Sequence, residues 1–162
     1  MHENRHDRRT RAGTSRAAGA LAALLLAALL VVGASSPSHA ASVASTREAK
    51  RLTASVLDKV VGGDFEGGLR LLEPYVVVSK AEFDALLKRV SERMPAFEQL
   101  GASLGSELID DGRLGDSVYR IRYLQKFERH ALSWTFIFYR PEAGWVLNEF
   151  WFDIRLQNLF TD

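Results

Sequence analysis

Apolar residues recur at helical spacing from Ala49 to Met94 and at alternate positions from Gly101 to Ile154, and this change of period restricts the chain to helices followed by an antiparallel sheet. Ser45-Thr46-Arg47-Glu48 has the spacing of a capping box ahead of Ala49, Leu52, Val56, Leu57 and Val60, and Gly62-Gly63 supplies the stop. Asp64 is placed to cap a second, short helix with Phe65, Leu69 and Leu72 on its apolar face, weakened by Gly67-Gly68 and closed by Pro74. Val76-Val77-Val78 reads as an extended link. Ser79-Lys80-Ala81-Glu82 is a second capping box, followed by a stripe of Phe83, Leu86, Leu87, Val90 and Met94 until Pro95 breaks or kinks the helix.

In the second half, a weak strand near Ser103 to Ile109 is expected to end at Asp110-Asp111-Gly112, which is turn chemistry. Stronger strands follow at Ser117 to Phe127, Ala131 to Tyr139 and Trp145 to Ile154. With Arg129-His130 as a hairpin tip, Phe127 pairs with Leu132, Tyr123 with Phe136 and Ile121 with Phe138, which gathers the aromatics on one face and Arg120, Arg122 and Lys126 on the other. The last hairpin has two readings. A four-residue loop at Pro141 to Gly144 places Leu147, Glu149, Trp151 and Asp153 on the aromatic face, whereas a three-residue loop or a bulge places Val146, Asn148, Phe150, Phe152 and Ile154 there. The second is expected, because the first buries carboxylates without partners. Arg155 to Phe160 reads as a helical turn or a tail against the sheet.

The first forty residues stand apart. A basic start, the uncharged run AAGALAALLLAALLVVG from Ala17 to Gly33 and the small, polar ASSPSHA from Ala34 to Ala40 follow the order of an export signal, with cleavage expected between Ala40 and Ala41. The alternative is an uncleaved membrane anchor, since the apolar run sits at the lower edge of a bilayer span. Arg8-Arg9 matches a twin-arginine signal poorly, because Thr10 and Arg11 follow it, and without cysteine there is no lipid attachment site. Residues 41–162 then form a single domain, exported to the periplasm or the medium. Without the leader, 16 basic residues face 18 acidic ones, so the footprint of a nucleic-acid binder is missing. The absence of cysteine also removes disulfides, thiolate metal sites and thiol nucleophiles.

The order helix, short helix, capped helix and curved antiparallel sheet resembles the nuclear transport factor 2-like superfamily. Gly63-Asp64-Phe65-Glu66, Val78-Ser79 leading to Phe83, and Gly144-Trp145-Val146-Leu147 with Phe150-Trp151-Phe152 are similar to small exported bacterial domains of that group. The resemblance covers Ser45 to Phe160. It implies a cone-like α+β roll, with N-terminal helices on a curved sheet of about four strands and room for a pocket, and no single function.

Candidate sites follow from both readings. Tyr119, Tyr123, Trp134, Phe136 and Asn148 are expected to line the pocket. Enolising members of the superfamily use a carboxylate base beside a tyrosine or acid donor in an apolar cavity; Glu149 and Asp153, with Tyr119 or Tyr123, supply those residue types, and the competing reading makes both carboxylates surface charges. Trp145 and Trp151 are expected in an exposed apolar patch, suited to a partner protein or a homodimer. His130 is the one histidine after the leader and reads as an exposed turn residue, so no metal or other cofactor is expected. Asp110-Asp111-Gly112 with Asp116 lacks the spacing of a calcium loop, no serine sits in Gly-x-Ser-x-Gly, and Gly62-Gly63 ends a helix instead of opening a phosphate loop. The sequence reading is an exported, non-enzymatic module for a partner protein, itself or a small apolar ligand; the alternative is a cone-pocket isomerase or lyase with a carboxylate base.

Overall fold

The computed structural model describes residues 40–160; the leader and its apolar run lie outside them. Helix α1 (Thr46–Val61) opens on Ser45, whose hydroxyl accepts from the Glu48 amide at 3.2 Å. The Glu48 carboxylate reaches one residue beyond the expected partner and accepts from Ala44 N at 2.6 Å. The short helix α2 (Phe65–Arg70) is capped by Asp64, which accepts from Gly67 N at 3.0 Å. Helix α3 (Lys80–Ser91) carries the complete capping box of Ser79 and Glu82. It ends before Pro95, which sits at the start of a 3-10 segment, Met94–Leu100.

Four antiparallel strands follow in sequence order: β1 (Ser103–Leu114), β2 (Val118–Phe127), β3 (Ala131–Tyr139) and β4 (Val146–Asp153). The architecture is thus α+β, with the element order that the resemblance implies. One row of side chains, including Tyr119, Ile121, Tyr123, Trp134, Phe136 and Phe138, is buried with Val56, Leu57, Leu69 and Phe83 of the helices. The core is closed by the segment that precedes α1, where Val43 and Trp145 exchange hydrogen bonds of 2.9 and 2.8 Å. Among the described residues no helix is long and apolar enough to cross a membrane.

Three sequence expectations need correction. Asp110-Asp111-Gly112 lies inside β1, which continues to Leu114, and the turn is Gly115-Asp116-Ser117, with Gly115 at φ 59°. The β2–β3 tip is Glu128-Arg129 rather than Arg129-His130: Lys126 pairs with Ala131, and Tyr123 with Trp134 instead of Phe136. This slip of two residues leaves every side chain on the face expected for it, because strand side chains alternate with a period of two. In the last hairpin both readings are realised in succession. Leu147 opposes Phe138 and is buried; a bulge at Asn148 then shifts the register, so that Phe150 opposes Phe136 and Phe152 opposes Trp134.

Helix α2 packs closely on α1 at Gly68. A Cβ on Gly68 would stand 2.9 Å from both the Val56 carbonyl oxygen and Val60 Cγ2, so the glycine that weakens α2 as a helix is what permits the crossing.

Candidate functional site

At one end of the roll the sheet and helices diverge. Val60 and Val61 end α1, Phe65 opens α2, Met94, Pro95 and Phe97 belong to the 3-10 segment, and Phe127 and Leu132 flank the β2–β3 tip; together they line a groove of about 450 Å³. The 3-10 wall is held from the sheet. Arg129 donates from Nε to Gln99 O at 2.9 Å, from Nη2 to Glu98 O at 3.3 Å and from its amide to Leu100 O at 2.9 Å. Glu128 accepts from Ala102 N at 3.1 Å. The tip therefore fixes the wall, and the ring of Phe97 packs edge-on to Phe152 with centroids 5.5 Å apart. Beyond Phe97 lies a second cleft of about 490 Å³, bordered by Arg93, Leu132, Phe152 and Ile154.

The groove is apolar except for Gln125 and Ser103 at its inner end and Ser91 and Glu98 at its rim. Gln125 is 3% exposed; its carbonyl accepts from Trp134 Nε1 at 3.0 Å and its amide nitrogen donates to Ser103 Oγ at 3.3 Å. A primary amide carries two N–H groups, so one remains for a guest. Neither Gln125 nor Phe97 stands out in the sequence. The available signal is that Gln125 continues the inward row of Tyr119, Ile121 and Tyr123, where a polar residue needs partners inside.

The expected pocket residues lie elsewhere. Tyr119, Tyr123, Trp134 and Phe136 fill the interior instead of bounding a space: Trp134 and Phe136 stack with centroids 6.4 Å apart, and Tyr123 meets Phe136 edge-on at 6.3 Å. Asn148 is exposed at the bulge. Burial raises the Tyr123 phenol, which sits 3.1 Å from Thr53 Oγ1 and donates to Lys50 O at 3.3 Å. Tyr119 donates to Asp111 Oδ2 at 2.6 Å; burial first, and this carboxylate second, raise its phenol far above the ordinary value. These tyrosines lie on the helix side of the sheet.

The candidate bases lie on the other side. Glu149 is exposed opposite Ile137. Asp153 accepts from the Arg155 amide at 2.9 Å and from Asn158 Nδ2 at 2.6 Å, and these bonds hold its carboxyl below the ordinary range. The sheet thus separates both carboxylates from Tyr119 and Tyr123, and the expected acid–base pair is not assembled. Trp145, expected in an exposed patch, is 2% exposed: Tyr119 meets it edge-on at 5.9 Å, and the guanidinium carbons of Arg140 and Arg113 stand 5.0 and 5.6 Å from the ring centre. Trp151 is 41% exposed on the outer face. His130 is exposed at the tip, and no three metal-ligating side chains among the described residues converge.

No family model and no curated protein matches the chain. A crystal structure from Campylobacter jejuni named "Putative NTF2-like transpeptidase" is similar to it at 16% identity and a TM-score of 0.44, covering 65% of this chain and 99% of that one.

Proposed function

We propose that the chain is an exported, non-enzymatic binding module whose groove holds a small apolar ligand with one polar end. The observation that carries this reading is the pairing of apolar walls with Gln125 and Ser103 at the inner end. Phe65, Phe97, Phe127 and Leu132 surround the body of the ligand, and the spare Gln125 N–H or the Ser103 hydroxyl meets its polar end. Gln125 is already oriented by Trp134, so the polar contact needs little reordering. The separation of Glu149 and Asp153 from the interior tyrosines favours binding over carboxylate-based enolisation. The basic, apolar and small-residue order of residues 1–40 supports export.

Titration with 1-octanol, followed by amide chemical shifts, tests the groove. Saturable shifts at Phe65, Phe97 and Leu132 are expected, weakened about tenfold or more by Ser91→Trp, which puts an indole at the rim, and unchanged by Trp151→Ala. Absent shifts, or shifts indifferent to Ser91→Trp, contradict the reading. N-terminal sequencing of protein recovered after secretion tests the leader: a start at Ala41 supports it, and an unprocessed chain contradicts cleavage.

A further inference from the structure

The groove and the cleft beyond it are separated by one ring. Met94, Pro95 and Glu98 of the 3-10 segment line the groove, Ala96 lines the cleft, and Phe97 borders both, as does Leu132 of β3. Phe97 is half-buried and packs edge-on to Phe152. The bonds that tie this segment to the sheet engage Glu98, Gln99, Leu100 and Ala102, all C-terminal to Phe97. The ring therefore keeps its place by packing, and rotamer changes of such partly exposed side chains are fast.

The apolar surface runs on past that ring. Phe65 of the groove meets Phe152 of the cleft edge-on, with centroids 6.1 Å apart, and Trp134 contacts both, at 5.7 Å from Phe65 and 5.0 Å from Phe152. Leu132, 1% exposed, belongs to the same surface. A continuous wall of this kind suits one extended chain better than two compact ligands. A chain buries methylenes along its whole length and loses its freedom of translation and rotation only once.

The polar groups specify the head of that chain. Gln125 and Ser103 at the inner end are neutral, and among the described residues no lysine or arginine lines the groove, whose one charged group is Glu98 at the rim. A carboxylate taken into the groove would lose its water without gaining a cation. At the cleft, Arg93 and Arg155 are balanced by Glu92 and Asp153, with Arg155 Nε 3.3 Å from Asp153 Oδ1, so no net charge draws an anion there.

We infer, building on the groove as an apolar-ligand site, that groove and cleft together hold one long-chain neutral lipid. Its hydroxyl or ester end lies at Gln125 and Ser103, its chain passes Phe97 along Leu132 and Phe152, and its tail ends beside Ile154.

The test compares 1-octanol with 1-dodecanol, each below its solubility limit, in titrations of the isotope-labelled protein. 1-Octanol is expected to shift Phe65 and Leu132 and to leave Ile154 unmoved. 1-Dodecanol is expected to shift all three with one-to-one stoichiometry and to bind about tenfold or more tighter, since each fully buried methylene adds about fourfold. Ala96→Trp, at an exposed position on the cleft side, should bring 1-dodecanol down to about the affinity of 1-octanol and leave 1-octanol unchanged. Laurate, the anionic counterpart, should bind about tenfold or more weaker than 1-dodecanol. Equal affinity for the two alcohols, or shifts at Ile154 with 1-octanol, overturns the shared occupancy while leaving the groove reading in place. Laurate binding as tightly as 1-dodecanol overturns the neutral head. Failure of both alcohols to shift Phe65 removes the groove reading and the long-chain ligand with it.

Discussion

Asp110 and Asp111 are consecutive in β1 and bind on opposite faces of the sheet: Asp110 takes Arg122 on the outer face, and Asp111 takes the Tyr119 hydroxyl at 2.6 Å on the inner one. The bulge between Leu108 and Asp110 sets the phase, and strand alternation does the rest. This one dipeptide ties β1 to both layers of the domain. Lys50 of α1 completes the inner side at 3.2 Å from Asp111 Oδ1.

The pair makes stability depend on pH in a fixed direction. The Arg122 hydrogen bonds hold Asp110 below the ordinary carboxylate range, and the Tyr119 hydrogen bond, followed by Lys50, does the same for Asp111. A carboxyl whose folded value is depressed stabilises the fold above its unfolded value, and that contribution is lost as pH falls through the folded value. Urea melts should show wild-type stability falling below about pH 4. Asp111→Asn should cost roughly 1 kcal/mol at neutral pH and flatten the acid fall. An unchanged acid slope in the variant contradicts the assignment.

Gly68 reverses the usual effect of a helical glycine. Replacing such a glycine by alanine ordinarily stabilises by about 1 kcal/mol, but at Gly68 the new methyl meets the Val56 carbonyl and Val60 at 2.9 Å. Gly68→Ala should therefore destabilise by about 1–3 kcal/mol in thermal or denaturant unfolding. Gly112→Ala, with nothing within 4 Å of its Cβ, serves as the control and should stay close to wild type. A stabilised Gly68→Ala variant would place α2 farther from α1 than described.

The two tryptophans that the sequence groups together should separate sharply on substitution. Trp145→Ala removes a buried ring packed among Tyr119, Arg113 and Arg140 and should cost about 3–5 kcal/mol. Trp151→Ala, at a position 41% exposed, should stay within about 1 kcal/mol of wild type. Equal losses at both positions would contradict the burial described. The Trp145 indole lies inside, so of the two rings only that of Trp151 is presented on the surface.

The sequence states the helices plainly because their signals are local: Ser45, Asp64 and Ser79 each accept from the amide three residues on, in patterns visible from spacing alone. Strand faces are equally plain, since alternation survives a register slip of two, which is why the β2–β3 tip can be misplaced without moving Trp134 or Phe136 off the inner face. What periodicity cannot show is a change of phase within a strand. The bulge at Asn148 puts Leu147 and Phe150 on one face although they are three residues apart. Asp110-Asp111-Gly112 is hidden for another reason: its turn-forming tendency is overridden by partners distant in sequence, Arg122 and Tyr119. The groove leaves little trace in the sequence because its polar end is a glutamine, ordinarily a surface residue, and its wall is a 3-10 segment held by backbone carbonyls that any sequence offers to Arg129.

The central claim is that the groove beside Gln125 holds the apolar body of a ligand. The most direct measurement is a set of intermolecular nuclear Overhauser contacts between 1-octanol and the isotope-labelled protein. The account predicts contacts from the chain methylenes to the rings of Phe65 and Phe97 and the methyls of Leu132, and from the hydroxyl end to the Gln125 amide protons. Contacts confined to Trp151 and the outer face, or no contacts at saturating octanol, would contradict it.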